Sequence, residues 1–133
     1  MLHMLDADTA SYLIKGKSPT IEAKLAAIIS SMVCISVMTW AELQYGLQRL
    51  PADHRLRLVA RQFLKIIRVL PWDAEAADWY AEIRHQRVST GQPIGELDMM
   101  IAAHLLSAGA VLVTNNSRYY ERIAVPLLMA NWV

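Results

Sequence analysis

The alternation of short apolar runs with helix-length segments is the feature that most constrains the fold of this chain. Four apolar runs are short enough for buried strands: residues 2–5, 32–36, 68–71 and 110–114. The segments between them carry apolar residues at helical spacing, as in Leu97, Ile101 and Leu105. Strands joined by helix-length connections predict an α/β fold, with a parallel sheet and helices on both faces.

Capping and helix-breaking residues set the expected ends of the helices. Ser18 followed by Pro19 is typical of a helix start, and Gly109 stands where a helix ending at about residue 108 would stop. Asp73 is expected to cap a helix that runs to about residue 91, and residues 52–67 form a basic amphipathic segment. The predicted helices therefore fill the connections that a parallel sheet requires.

Three acidic residues stand where predicted strands end or where helices start. Asp6 follows the first strand, Glu42 starts a helix after the second, and Asp98 lies in the first turn of the helix before the fourth. Each acid has a structural alternative. Asp6 suits a helix cap, although Asp8 is the better candidate, and Glu42 suits a capping box opened by Thr39. Asp98 complements the helix dipole. Three acids near one edge of the sheet are nevertheless more than capping requires.

The edge of the sheet at which these acids stand is the usual ligand site of a parallel sheet, and Asn115 and Asn116 follow the fourth strand there. Clustered carboxylates repel one another, and a divalent cation relieves that repulsion. Mg²⁺ and Mn²⁺ prefer oxygen ligands, and Mg²⁺ often bridges to phosphate. A metal held in this way activates water and stabilises charge on a phosphodiester under attack. The pattern therefore indicates hydrolysis of a phosphate ester in nucleic acid.

Composition excludes several other classes of protein. A chain of 133 residues is long enough for one compact domain, and 55% hydrophobic with 19% charged residues excludes a disordered chain. No apolar run reaches the ~18 residues of a membrane helix, and the acidic start is unlike a signal peptide. Cys34 lies in an apolar run, where we expect a buried, inert thiol. We expect a cytoplasmic protein with no membrane partner.

Four segments together resemble the motifs of PIN-domain ribonucleases, and most closely the VapC toxins of VapBC toxin–antitoxin modules. The segments are MLD (4–6), AELQYG (41–46), DMMIAAH (98–104) and VTNN (113–116). The resemblance covers essentially the whole chain, in order and at family spacing. It implies a PIN-like fold with a central parallel sheet of about five strands, in a single domain of residues 1–133.

The resemblance also implies an activity and its participants. The chain would be a Mg²⁺- or Mn²⁺-dependent endoribonuclease, a toxin that cleaves tRNA or another structured RNA until a VapB-type antitoxin neutralises it. Asp6, Glu42 and Asp98 would hold the metal, and Asn116 would complete the catalytic set. A homodimer is implied, and promoter DNA would be contacted only through the antitoxin. Because Asn116 is neutral, the number of metal ions stays open. Asp8, where relatives often have a small polar residue such as Asn, either adds a carboxylate or caps a helix.

Two other functions stay open at this point. A catalytically silent PIN-like binding protein would not need all three acids. A receiver-like signalling domain needs an Asp at the end of the third strand, where this chain has Leu70 and Pro71. Among other residues, His104 is expected in the core or an interface, whereas the roles of Glu96 and Glu121 stay open. Two arginines, Arg118 and Arg122, either meet RNA phosphate or are solvated.

Overall fold

An all-parallel, five-stranded sheet lies at the centre of the computed structural model. The model describes residues 1–27, 30–91, 94–115, 120–121 and 127–132. The strands, in chain order, are β1 (His3–Leu5), β2 (Val33–Ser36), β3 (Arg68–Leu70), β4 (Val111–Val113) and β5 (Met129–Ala130). Their order across the sheet is β3-β2-β1-β4-β5. The predicted α/β fold with a parallel sheet of five strands is confirmed.

Six α-helices lie in the described part of the chain, and a 3₁₀ turn at Ser30–Met32 precedes β2. They are α1 (Ala7–Lys15), α2 (Pro19–Ala26), α3 (Val37–Gln48), α4 (Arg55–Ile66), α5 (Ala74–Thr90) and α6 (Glu96–Ala108). The predicted starts are confirmed, since Ser18 Oγ accepts from the Ile21 amide at 3.3 Å and Asp73 Oδ1 accepts from the Ala76 amide at 3.1 Å. Gly109 ends α6 at φ +63°, a left-handed conformation that favours glycine. Over the described ranges, no helix combines the length and the apolarity needed to cross a bilayer.

Two hydrophobic cores lie on opposite faces of the sheet, because successive strand residues point to opposite sides. Met4, Cys34 and Leu112 pack with residues of α5 and α6 on one face. Leu5 and Val113 pack with residues of α1, α2 and α4 on the other. Burial raises the pKa of the Cys34 thiol to about 11, as expected of the buried thiol that the sequence predicts. Helices therefore cover both faces, as predicted.

The path of the chain places a crevice at the carboxyl end of β1. The chain runs outward from β1 through β2 to β3, then returns through α5 and α6 to β4 on the other side of β1. Ligands bind at such a switch point in open α/β sheets. The Asp6 amide donates to the Val113 carbonyl at 3.1 Å, so Asp6 lies level with the end of β4 at this crevice.

Candidate metal centre

An acidic pocket of about 190 Å³ opens at the crevice beside β1. Its lining residues come from α1, α3, α6 and the segment after β4: Asp6, Ala7, Asp8, Glu42, Asp98, Ile101 and Tyr120. The structure therefore brings together the three acids that the sequence predicts as metal ligands, although they are up to 92 positions apart (98 − 6) in the chain. Asp8 joins them as a fourth carboxylate.

Asp6 is the most deeply buried of the predicted acids, and it also caps α1. Its side chain is 5% exposed, and Oδ1 accepts from the Thr9 amide at 2.8 Å. The expectation that Asp8 is the better helix cap is therefore wrong: β1 ends at Leu5, so the helix starts at Ala7 and Asp8 lies exposed inside its first turn. Burial raises the pKa of Asp6, while hydrogen bonds from Thr114 and the Thr9 amide act in the opposite direction.

Glu42 lies in the second turn of α3, not in a capping box. The helix starts at Val37, because Ser36 at the end of β2 is its cap and accepts from the Met38 amide at 3.1 Å. The predicted box is therefore wrong. Thr39 is buried inside the helix, and within the described ranges its hydroxyl has no hydrogen-bond partner. Glu42 is thus left free of a capping role, half-buried at the acidic pocket.

The electrostatics of Glu42 show how closely the acids are gathered. Burial raises the pKa of Glu42, and the negative charges of Asp98, Asp8 and Asp6 raise it further. Each of these charges penalises the ionised form of Glu42, so the pocket stores repulsion that a bound cation would relieve. This field arises from residues of three helices and one strand end.

Tyr120 is a member of the pocket that sequence reasoning did not assign to the site. Its side chain is 3% exposed, and its hydroxyl donates to Asp98 Oδ1 at 3.2 Å. Burial raises the pKa of Tyr120, and the charges of Asp98, Asp6 and Glu42 raise it further, so the phenol stays protonated as a donor. An aromatic residue after the VTNN segment was noticeable in the sequence, but nothing local indicated that its hydroxyl reaches an acid 22 positions away.

The other polar residues that the sequence singles out either lie outside the described residues or are absent from the described lining of the pocket. Asn116 lies outside the described residues, as do Arg118 and Arg122, whereas Asn115 is described and exposed. Glu96 is exposed and lies 3.5 Å from Arg84 in a surface ion pair, consistent with the solvated role that its sequence position allows. Glu121 is exposed and is absent from the residues that line the pocket.

The donor set fits a hard divalent cation, since every charged side chain among the described lining residues is a carboxylate. Within the described ranges, no three carboxylate, imidazole or thiol side chains lie close enough to bind one ion directly. Mg²⁺ is commonly held by one or two carboxylates and keeps several waters, so direct contact with all three acids is not required. The pocket has room for such a hydrated ion.

A larger groove of about 530 Å³ adjoins the pocket and shares Asp8 and Glu42 with it. Helices α1, α3 and α4 form its walls, which are largely apolar, with Lys15 and Arg49 among the lining side chains. The groove therefore opens beside two of the acids of the pocket.

Comparison with known proteins adds independent findings. The family model described as PIN domain matches residues 3–126. The tRNA(fMet)-specific endonuclease VapC of Salmonella typhimurium is 39% identical over 120 residues, which cover 90% of each chain. Ribonuclease VapC2 of Haemophilus influenzae is 34% identical over 131 residues, 98% of each chain.

Solved structures resemble this fold over its whole length. The crystal structure of DNA-bound VapBC from Salmonella typhimurium contains a chain that matches with a TM-score of 0.91 at 37% identity, covering 100% of both chains. In the crystal structure of VapBC2 from Rickettsia felis, bound to a DNA fragment from its promoter, the matching chain has a TM-score of 0.90 at 28% identity, again over 100% of both chains.

Proposed function

The chain belongs to the PIN-domain family, among its VapC ribonucleases, and from this premise we propose how its acidic pocket works. It is a ribonuclease toxin of a toxin–antitoxin module. The observation that carries the mechanism is the single pocket into which Asp6, Glu42 and Asp98 converge from separate elements. We propose that these acids hold one Mg²⁺ or Mn²⁺ ion, that Asn116 completes the catalytic set, and that RNA phosphodiesters are cleaved there.

The roles of the acids follow from their surroundings. Asp6 is held in place by the Thr9 amide and Asp98 by the Tyr120 hydroxyl, so both carboxylates are oriented before any ligand arrives. Burial and the charges of Asp98, Asp8 and Asp6 raise the pKa of Glu42, so a bound cation would relieve the repulsion at this acid. When bound, the cation would supply charge stabilisation at the phosphate and activation of water.

The partners proposed for this chain follow the proteins that it matches. The neighbouring structures are VapBC complexes, so a VapB-type antitoxin is the partner, and promoter DNA is reached through that antitoxin. The groove beside the acids gives either the antitoxin or an RNA strand room to approach. The substrate that we propose is a tRNA, with initiator tRNA the first to test because of the 39% identical relative. We further propose a single domain over residues 1–133, acting in the cytoplasm.

RNA cleavage by the purified protein tests the proposal. We expect EDTA to abolish cleavage of initiator tRNA and Mg²⁺ or Mn²⁺ to restore it, whereas Zn²⁺ should substitute poorly because the described lining residues include neither His nor Cys. Asp98→Asn should lower the rate by roughly 100-fold or more, since even neighbours of metal ligands typically cost 10- to 100-fold. Asp78→Asn, an exposed acid on α5, is the matched control and should keep the full rate.

The outcomes separate the parts of the proposal. Cleavage that persists in excess EDTA, by protein free of contaminating nuclease, would refute the metal mechanism. Full activity of Asp98→Asn with metal present would refute the assignment of the acids. Cleavage of other structured RNAs but not of initiator tRNA would leave the mechanism in place and correct the substrate.

A further inference from the structure

His104 lies where α6 meets the ends of β2 and β3, outside the acidic pocket. It is 3% exposed, and its Nδ1 lies 2.7 Å from Ser36 Oγ. The ring also hydrogen-bonds the backbone of Pro71, just after β3. The sequence predicts a core histidine here, and the structure confirms its burial, yet a core position does not by itself explain two specific polar contacts.

The contacts of His104 are mutually consistent for a neutral imidazole. A carbonyl only accepts, so the ring nitrogen that meets Pro71 carries the proton, and Nδ1 accepts from the Ser36 hydroxyl. Ser36 Oγ is then able to accept from the Met38 amide at 3.1 Å, which is the cap of α3. Burial lowers the pKa of His104, against opposing effects of Asp73 and the Pro71 carbonyl, and thereby favours this neutral form.

A second hydrogen bond joins α6 to the segment that follows β3. Trp72 Nε1 donates to the Met100 carbonyl at 2.9 Å. The His104 ring thus bonds the Pro71 carbonyl, and the Trp72 ring bonds the Met100 carbonyl. Each of the two segments therefore supplies one side-chain donor and one backbone acceptor. Because Asp98 precedes Met100 by two residues, this clamp fixes the end of α6 that carries the acid.

We propose that His104 is a positioning residue for the nuclease reaction, holding the start of the helix that carries Glu42 against the helix that carries Asp98. The link to Glu42 runs through Ser36, which caps α3, and the link to Asp98 runs along α6 itself. The inference rests on the proposed function, since it concerns how that site is kept in shape. A histidine that only fills the core would instead be replaceable by an apolar side chain of similar size without effect on the site.

An isosteric pair of variants separates positioning from core filling. Leucine at 104 fills space without accepting a hydrogen bond, whereas asparagine offers Oδ1 near the place of Nδ1 and can accept from Ser36. We expect His104→Leu to weaken Mn²⁺ binding, measured by calorimetric titration, and kcat on RNA by roughly 10- to 100-fold. His104→Asn should recover most of both losses, to within about threefold of the native protein, because it restores the bond to Ser36.

Ser36→Ala provides a second route to the same test if His104→Leu does not fold. It should lower both Mn²⁺ affinity and kcat. The double variant His104→Leu/Ser36→Ala should lose little more than either single variant, because both substitutions remove the same hydrogen bond between His104 and Ser36. Ser107→Ala is the matched control, because the Ser107 hydroxyl donates to the backbone carbonyl of His104 within α6 and not to its imidazole. It should retain the native affinity and rate.

Each outcome decides between the roles. Native Mn²⁺ affinity and kcat in folded His104→Leu or Ser36→Ala, with only the unfolding temperature changed, would overturn the positioning role. Equal losses in His104→Leu and His104→Asn would also overturn it, because the bond to Ser36 would then not matter. Asp98→Asn is the reference: if it still binds Mn²⁺, the proposed function and this inference both fail. If Asp98→Asn loses binding while His104→Leu keeps it, only this inference fails.

Discussion

Asp6 has two tasks in the structure, and two substitutions separate them. Its Oδ1 caps α1 by accepting from the Thr9 amide at 2.8 Å, and its charge belongs to the acidic pocket. Asparagine keeps a side-chain oxygen for the cap and removes the charge, whereas alanine removes both. We expect both variants to lose RNA cleavage, but only Asp6→Ala to lose stability.

The size of the stability difference follows from the cap. Replacing a capping Asp or Asn by Ala costs about 1 kcal/mol, so Asp6→Ala should unfold with a free energy about 1 kcal/mol below that of Asp6→Asn. For a domain of this size, that difference lowers the unfolding temperature by about 3–5 °C. The cap is buried, which places the effect toward the upper part of this range.

The ionisation of Asp6 should lower the stability of the metal-free protein as pH rises. Its pKa is raised in the folded protein, chiefly by burial, so the stability linked to Asp6 is fully present below the unfolded pKa and is lost as pH rises through the folded pKa. In EDTA, Asp6→Asn should therefore be at least as stable as the native protein at pH 8. The two proteins should converge below about pH 3, where the Asp6 carboxyl is protonated in both the folded and the unfolded state.

Thermal unfolding in EDTA at about pH 3 and pH 8, repeated with Mg²⁺ at pH 8, provides the assay. Only the native protein should gain stability from Mg²⁺, because binding to the folded state alone raises its unfolding free energy. An Asp6→Asn protein as unstable as Asp6→Ala at pH 8 would refute the capping argument. A native protein that gains stability relative to Asp6→Asn as pH rises in EDTA would refute the electrostatic one.

Two further predictions concern the pocket wall and the assembly. Tyr120→Phe removes only the hydroxyl that donates to Asp98 at 3.2 Å, and Mn²⁺ affinity should fall by about tenfold in a calorimetric titration; unchanged affinity would contradict the role of this bond. We also expect a homodimer by sedimentation at micromolar concentration, because large apolar side chains such as Ile66 and Leu58 on α4 are 81% and 56% exposed. A purely monomeric species would remove that expectation.

Local signals in the sequence were sufficient for most elements of the fold. Helix starts at Ser18 and Asp73 and the stop at Gly109 depend on side chains and dihedral preferences within a few residues, and all three are confirmed. The parallel sheet followed from the alternation of element types, which is equally local. Four of the five strands lie within the predicted apolar runs, whereas β5 at Met129–Ala130 lies outside them.

Features that depend on strand pairing could not be predicted in this way. Ser36 and Thr39 are both residue types that cap helices. Ser36 is the cap of α3 because it is the last residue of β2, where it pairs with Leu70 of β3. Asp6, and not Asp8, caps α1, because the Asp6 amide still donates to the Val113 carbonyl at the end of β4 and the helix therefore starts directly after it. Each decision involves a residue more than 30 positions away, which a capping pattern does not contain.

The acids of the pocket differ in how well their charge is compensated, and this difference bears on how the site binds a cation. Asp6 accepts from the Thr9 amide and Asp98 from the Tyr120 hydroxyl, so a hydrogen bond holds each of these carboxylates. Glu42 instead experiences burial and the charges of Asp98, Asp8 and Asp6, all of which raise its pKa. Burial raises the pKa of Asp6 as well, so both acids favour the protonated form more than free carboxyls do. A cation binds their ionised forms, so cation binding and proton release are coupled, and the affinity for metal decreases toward acidic pH.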